Sequence, residues 1–217
     1  MFIFFPALPD CVNILKHIPI PRLNKTPVWL PKEQQKQFIP LFRNLLSNFN
    51  MMKPLNFHIL ENIQKIQIQI ITVVSGHPFT IGKNTIVFPL SYLMLPLFMQ
   101  KKILIHELVH LHQRRAPEIY ERYYTNQLNF KKIKVNLPEE VKARLMYNPD
   151  GPRYEWIWRN RYIPLGIKHK TYLWDVNTKT LNPVEQVKEY TQAFNTLRQL
   201  YHPNEIVAHQ ITDAIKM

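Results

Sequence analysis

The chain has 217 residues, 46% of them hydrophobic and 20% charged, which indicates a globular protein large enough to enclose a core. Its single cysteine, Cys11, excludes an internal disulfide and a cysteine-rich zinc module, and this fits a reducing compartment. The formal net charge of +13 predicts some attraction to polyanions. Because the basic residues are spread along the chain, a dedicated nucleic-acid patch is the less favoured interpretation.

Targeting and membrane segments are not expected. The apolar start over residues 1–10 has no basic region and is interrupted by prolines, so it makes a poor secretory signal. The longest apolar stretch, residues 90–99, contains Pro96 and is too short to span a bilayer. With 4 glycines against 18 prolines, no flexible linker marks a domain boundary. We therefore expect a soluble intracellular protein with one domain over residues 1–217.

The first part of the chain combines an extended segment, a helix and strands. Scattered prolines predict a wrapping segment over residues 1–30, and apolar spacing predicts a helix from Pro31 that Pro40 kinks. Together these form the expected N-terminal part, residues 1–60. Alternating isoleucines predict a strand over residues 66–74, followed by a turn-rich loop over 75–82. Residues 85–88 predict a short strand that Pro89 closes.

A helix predicted from Pro96 or Leu97 to about Arg115 carries the motif His106-Glu107-x-x-His110. Two imidazoles four residues apart lie on one helix face, where they can occupy two corners of a tetrahedral zinc site. Glu107 is suited to act as the general base toward a water that the metal activates. Met99 and Ile103 are expected on the metal face, and His112 points away from it. The packed face is expected to comprise Leu104, Leu108 and Leu111.

The rest, residues 117–217, is expected to contain helices and a small β-meander that supply a third ligand. The first predicted helix covers residues 118–129, with an aromatic stripe along one side, and a shorter one follows Pro138. The run 148–152 predicts a turn. Three short aromatic runs predict antiparallel strands over residues 154–158, 162–165 and 171–176. Asn182-Pro183 is expected to open a further helix, and His202-Pro203 the last one, with Glu205 in its first turn.

Two histidines leave a zinc site open, so a third protein ligand is needed. The metzincin pattern is excluded because Ala116 stands where its third histidine would be. Glu205 begins an ExxA step that lets its helix approach another closely, and Glu140 has the same spacing. The preceding His202-Pro203-Asn204 favours Glu205, and Glu140 stays the main alternative. The candidates considered are Glu205, Glu140, Glu118 and His209.

Three motifs together carry a resemblance: His106-Glu107-x-x-His110-x-x-Gln113-Arg114 before Pro117, Asn148-Pro149-Asp150-Gly151, and His202-Pro203-Asn204-Glu205-x-x-Ala208. The chain resembles, over residues 75–217, the poorly characterised zincin-like metallopeptidases encoded by large DNA viruses. The resemblance implies an α+β zincin-like fold, with a small mixed or antiparallel sheet packed on the HExxH helix and a largely helical C-terminal part.

The same resemblance implies a gluzincin-type zinc site. Its metal ligands would be His106, His110 and Glu205, with Glu107 as the catalytic base. The chain departs from the best-known gluzincins, which have asparagine and aspartate where Ile206 and His209 stand. Asp150 could orient a histidine ligand, and His209 could support the third ligand or the oxyanion.

The expected function is zinc-dependent hydrolysis of a peptide or protein. In zinc peptidases an extended substrate commonly pairs with the strand just before the metal helix, and residues 85–88 are in that position. Tyr201, His202 and His209 are the candidate oxyanion donors. The alternative is a catalytically inactive zincin-fold protein, structural or nucleic-acid-associated, of a virus. Its location would then be the host cytoplasm or the virion.

Overall fold

The structure is a computed structural model that describes residues 66–71, 77–146, 148, 150, 155–194 and 200–214. The chain groups into two compact units, Met1–Leu111 with Met217, and His112–Lys216. The boundary falls inside one continuous helix. The expected wrapping segment and helix of residues 1–60 lie outside the described residues.

The described residues of the first unit form a three-stranded mixed sheet in the order β1-β3-β2. β1 runs parallel to β3, with Gln67 opposite Thr85, and β2 runs antiparallel to β3, with Phe79 opposite Val87. The strands are β1 (Gln67–Ile71), β2 (Phe79–Ile81) and β3 (Thr85–Pro89). A small mixed sheet was expected and is confirmed.

Two details of this sheet correct the sequence prediction. The loop predicted over residues 75–82 contains β2, a strand of only three residues that is too short to show a period. More importantly, β3 is the central strand, and Thr85, Ile86 and Val87 pair with β1 on one side and with β2 on the other. The prediction that residues 85–88 pair with a substrate peptide is therefore wrong, because strand addition needs an unpaired edge.

The helix that carries the HExxH motif, α1 (Leu97–Arg115), follows a 3-10 turn over Leu90–Met94. The carbonyl of Pro96 accepts hydrogen bonds from the backbone N–H groups of Met99 and Gln100, which begins the helix. At the other end Pro117 follows Ala116, whose φ of −130° leaves the helical region, as a residue before proline tends to do. The predicted bounds of this helix are confirmed.

Helical periodicity sorts the side chains of α1 as expected. Leu104, Leu108 and Leu111 are buried, with exposures of 0%, 3% and 1%. Phe98 and Met99 near the first turn are exposed. Arg114 and Arg115 lie in the last turn, where positive charge favours the helix dipole.

In the second unit, the residues that the structure describes include a five-stranded antiparallel sheet in the order β4-β5-β6-β7-β8. The predicted antiparallel meander is confirmed as β5, β6 and β7, and the sheet continues by one strand on each side. The strands are β4 (Phe130–Lys132), β5 (Trp156–Trp158), β6 (Tyr162–Ile167), β7 (Lys170–Asp175) and β8 (Thr180–Pro183).

The two flanking strands correct the expectation of a largely helical C-terminal part. Asn182-Pro183 does not open a helix, because Asn182 pairs with Leu173 and Pro183 with Tyr172 at the end of β8. A proline, which has no N–H to donate, is tolerated there because β8 is the last strand of the described sheet. The helical part begins after the strand and is interrupted: a 3-10 turn over Val184–Gln186 precedes the helix Lys188–Phe194, and residues 195–199 lie outside the described residues.

Helices of the second unit are short apart from the last. Among them, α2 buries Tyr120 and Tyr124 and leaves Ile119 and Tyr123 exposed, so only part of the predicted aromatic stripe is buried. The helices are α2 (Pro117–Asn126), α3 (Glu139–Lys142), α4 (Lys188–Phe194) and α5 (Pro203–Ala214). Among helices of the described ranges, none combines the length and hydropathy that a bilayer span requires.

Hydrophobic packing and an ion pair between Arg161 and Asp175 stabilise the five-stranded sheet. Its core cluster comprises Leu137, Val141, Ile157, Ile163 and Leu165. Arg161 pairs at 2.8 Å with Asp175, whose carboxylate also accepts the backbone N–H groups of Asn177 and Thr178. These hydrogen bonds, that from the Arg161 side chain foremost, hold the pKa of Asp175 below its ordinary value. The carboxylate therefore closes the turn between β7 and β8.

Candidate metal site

The two histidines of the motif converge within α1. The Nε2 atoms of His106 and His110 lie 3.0 Å apart, and the rings meet edge to face. His110 is 2% exposed, and His106 is partly buried. The helix therefore presents two imidazole nitrogens to one point.

The spacing of these nitrogens suits a zinc ion. Two nitrogens bound at about 2.05 Å and separated by a tetrahedral angle lie about 3.3 Å apart, close to the observed separation. A separation of 3.0 Å also suits a hydrogen bond between neutral imidazoles. Small rotations of the two rings would exchange one arrangement for the other.

Glu107, the proposed base of the motif, is 3% exposed. Burial raises the pKa of Tyr92 well above its ordinary value, and the negative charge of Glu107 adds to the effect. The Tyr92 hydroxyl itself donates to the backbone carbonyl of Gln100. A buried carboxylate thus lies near a tyrosine that stays protonated at physiological pH.

The second unit places Glu205 in the first turn of α5, at 2% exposure. The Asn148 amide Nδ2 donates a 2.6 Å hydrogen bond to its Oε1 atom. His209 lies one turn later, and the two side chains offer ligand atoms within 4.8 Å of each other. An acid and an imidazole at this spacing could share a metal ion.

Asn204, the residue before Glu205, is the centre of a polar network within the second unit. Its Nδ2 donates to the Asp150 carbonyl at 2.7 Å, and its Oδ1 accepts from the Tyr124 hydroxyl at 2.8 Å. Its backbone carbonyl accepts from Gln113 Nε2 at 2.9 Å. Its backbone N–H donates to Nδ1 of His202, which therefore acts as an N-cap acceptor for α5.

The turn around Asn148 joins this network. Asn148 Oδ1 accepts the backbone N–H of Asp150 at 2.9 Å, the pattern of an Asx turn. Asp150 in turn accepts a 2.9 Å hydrogen bond from Arg114 in the last turn of α1, and its side chain is 4% exposed. An Asx turn therefore lies at the start of the predicted turn, of which residues 149, 151 and 152 lie outside the described residues. The side chains of Asn148 and Asp150 contact α5 and α1 respectively.

Tyr201 completes the surroundings of Glu205. Its hydroxyl oxygen accepts a hydrogen bond from Asn148 Nδ2. Burial raises the pKa of Tyr201, and the charge of Glu205 raises it further, so the phenol stays protonated in the physiological range. The ring packs on Gly166 of β6, where an added Cβ would lie 3.2 Å from Tyr201 Cγ. A glycine at this position lets the ring approach the sheet.

The other candidate ligands differ from Glu205 in their surroundings. Glu140 is exposed on a helix of only four residues, and Glu118 is exposed near the start of α2. His112, excluded from the metal face by its spacing, contacts the Tyr120 hydroxyl at 2.8 Å through Nδ1. Of the candidate glutamates, only Glu205 combines burial with a described hydrogen bond to its carboxylate.

Several polar residues of this region were not singled out from the sequence. Asn148 was named only as part of a predicted turn and of one motif of the resemblance, and Asn204 only as part of the motif before Glu205. Gln113 and Tyr124 had no assigned role. A local signal existed for the two asparagines, since each stands in a proline-containing polar motif, but the partners of their side chains outside their own turns lie 53 or more residues away in sequence.

Comparison of the chain with protein-family models, with characterised proteins and with solved structures finds no match.

Proposed function

We propose that the protein is a zinc-dependent peptidase in which His106, His110 and Glu205 bind the metal and Glu107 is the general base. The observation that carries the proposal is the 3.0 Å convergence of the two imidazole Nε2 atoms on a helix that also buries Glu107. Buried ionisable residues of this kind concentrate at functional sites.

The choice of Glu205 is supported by contacts within the second unit. Gln113, in the last turn of α1, donates to the backbone carbonyl of Asn204, the residue before Glu205. Gln113 stands three residues after His110 on the same continuous helix, so both project from neighbouring positions of one face. A glutamate that follows Asn204 is therefore a better candidate than the exposed Glu140.

The chemistry follows from the roles of these side chains. A zinc ion, when bound, would polarise water and the substrate carbonyl. Glu107 would accept the proton of the attacking water and pass it to the leaving amine. Tyr201 stays protonated and accepts from Asn148, so its own hydrogen can be donated to a developing oxyanion. His209 is the second candidate donor, one turn after Glu205.

The first experiment measures zinc binding in matched glutamate variants. Glu205→Gln and Glu140→Gln change the same residue type within the same ExxA spacing, so they form a controlled pair. Mass spectrometry of the metal and competition with a chromophoric chelator give content and affinity. We expect Glu205→Gln to lose zinc and Glu140→Gln to retain it. Loss of zinc in the Glu140 variant alone would show that Glu140, and not Glu205, is the third ligand.

The second experiment separates catalysis from metal binding. Glu107→Gln should retain zinc but hydrolyse a quenched-fluorescence peptide library at least about 100-fold more slowly, because a general base contributes 10²–10⁴-fold. Equal, negligible turnover in both zinc-loaded proteins would refute peptidase activity and favour the catalytically inactive alternative. Salt-sensitive binding of DNA or RNA would then point to a nucleic-acid-associated role.

A further inference from the structure

We propose that Asn148 is a positioning residue that fixes the Glu205 carboxylate in the orientation needed to bind the metal. The inference rests on the proposed function, because it assumes Glu205 as a ligand. A positioning residue of this kind must be a neutral hydrogen-bond donor next to the carboxylate, and the side-chain amide of Asn148 is such a donor.

The orientation of the Asn148 amide is determined by its own turn. Oδ1 accepts the backbone N–H of Asp150, a group that can only donate. The amide nitrogen must therefore face the opposite way, toward Tyr201 and Glu205. An amide flip would place the Asn148 carbonyl oxygen, an acceptor, against the Glu205 carboxylate, which can only accept when it is ionised, so the hydrogen-bond network selects the observed orientation.

Both hydrogens of the amide nitrogen have acceptors. One goes to the Tyr201 hydroxyl oxygen, and the other goes to Glu205 Oε1 at 2.6 Å. Asn148 thus fixes the position of one carboxylate oxygen, Oε1, and with it the plane of the Glu205 carboxylate. Metal-binding carboxylates are commonly held by such hydrogen bonds, which reduce the rotamers that must be lost on binding.

Tyr201 anchors the amide from the other side. Its ring lies against Gly166, and its hydroxyl accepts from the same nitrogen that contacts Glu205. Because the asparagine is neutral, it orients Glu205 without forming an ion pair that would compete with a cation for the carboxylate. A lysine or arginine at residue 148 would compete in this way.

The test compares Asn148→Ser with Asn136→Ser. Serine can keep the turn, since its hydroxyl can accept the Asp150 N–H, but it is too short to replace both amide donors. Asn136 is an exposed asparagine of the same unit whose side chain accepts from Lys142, so its variant controls for the substitution itself. Zinc affinity is measured by chelator competition, and the visible spectrum of the cobalt(II)-loaded protein reports ligand geometry.

We expect Asn148→Ser to weaken zinc binding about 10- to 100-fold and to change the cobalt spectrum, whereas Asn136→Ser leaves both as in the wild type. A merely structural role would lower thermal stability but leave the spectrum of the folded protein unchanged. Unchanged affinity and spectrum in a folded Asn148→Ser protein would overturn the inference and leave the proposed zinc site standing. A wild-type protein that binds no zinc would instead refute the proposed function itself.

A second variant keeps the test decisive if Asn148→Ser does not fold. Tyr201→Phe removes only the hydroxyl that anchors the Asn148 amide, and it leaves the packing against Gly166 in place. It should weaken zinc binding in the same direction, by a smaller factor, and alter the cobalt spectrum. Wild-type affinity together with a wild-type spectrum in Tyr201→Phe would contradict the positioning role.

Discussion

Replacing Asn204 with alanine should destabilise the second unit more than any ordinary surface substitution. The side chain donates to the Asp150 carbonyl at 2.7 Å and accepts from the Tyr124 hydroxyl at 2.8 Å. Tyr124 is 1% exposed and Asp150 5% exposed, so water cannot freely replace the lost partner. Alanine therefore removes two hydrogen bonds and leaves buried polar groups behind.

The magnitude follows from those two bonds. A buried group left without its partner costs about 1–3 kcal/mol, so two such groups suggest a loss of about 3 kcal/mol after partial rescue by water. Alanine has the higher helix propensity near the start of α5, which offsets about 0.5 kcal/mol at most. For a chain of this size, about 3 kcal/mol corresponds to a decrease in Tm of about 6–12 °C.

Urea unfolding followed by tryptophan fluorescence is the assay. Three of the four tryptophans, Trp156, Trp158 and Trp174, belong to the second unit, so the signal reports mainly on it. Asn136→Ala, at an exposed position, is the control and should change the free energy of unfolding by less than about 0.5 kcal/mol.

The pair Asn204 and Tyr124 allows a stricter test. Tyr124→Phe alone should cost about 1–2 kcal/mol, and the double variant should be less destabilised than the sum of the singles by about 1 kcal/mol. A loss below about 1 kcal/mol in Asn204→Ala, or full additivity with Tyr124→Phe, would refute the reasoning that these contacts stabilise the unit.

Three further predictions concern the same unit. Arg114→Met removes the cation that lies 2.9 Å from the carboxylate of Asp150, whose side chain is 4% exposed, and should cost about 2 kcal/mol in urea unfolding. An unchanged midpoint would show that the ion pair contributes nothing. Asp175→Asn should be less stable than the wild type at pH 7. Since the pKa of Asp175 is lowered in the fold, its contribution to the free energy of unfolding is present above the unfolded pKa of about 3.9 and is lost as pH falls through the folded pKa. The difference in stability between the two proteins should therefore shrink in acid. A difference that grew in acid would contradict the assignment. Gly166→Ala brings a methyl group within 3.2 Å of the Tyr201 ring. The strain of about 1–3 kcal/mol should outweigh the gain of about 0.5–1 kcal/mol from replacing a strand glycine, so the Tm should fall. A Tm above that of the wild type would indicate that the Tyr201 ring moves aside at little cost.

Helix α1 shows how much a local pattern can predict. Its bounds were expected because Pro96 and Pro117 limit it, and its packed face was expected because leucines recur at the helical period. The strands β5, β6 and β7 were expected for a similar reason, since short aromatic runs alternate with turns. These are properties of neighbouring residues, which the order of amino acids records directly.

The strand β3 shows where such patterns end. Its position along the chain was predicted, but its place at the centre of the sheet depends on β1 and on a three-residue β2 that carries no recognisable period. Likewise, Asn182-Pro183 has the composition of a helix start, yet pairing with β7 makes it the end of a strand. Tertiary pairing decides the place of β3 in the sheet, which the local pattern leaves open, and it overrides the local preference at Asn182-Pro183.

The candidate site likewise has features that local sequence predicts and features that depend on the tertiary structure. The sequence alone determined that two histidines and a glutamate share a helix, and that Glu205 stands in the first turn of another, because helical spacing and capping residues are local. Only the tertiary structure decided that Asn148 contacts Glu205 and that Asn204 bonds to Asp150 and Tyr124, across 57, 54 and 80 residues of chain. The physical reason is that a buried polar group takes whichever partner the fold brings to it, and no local period encodes that choice.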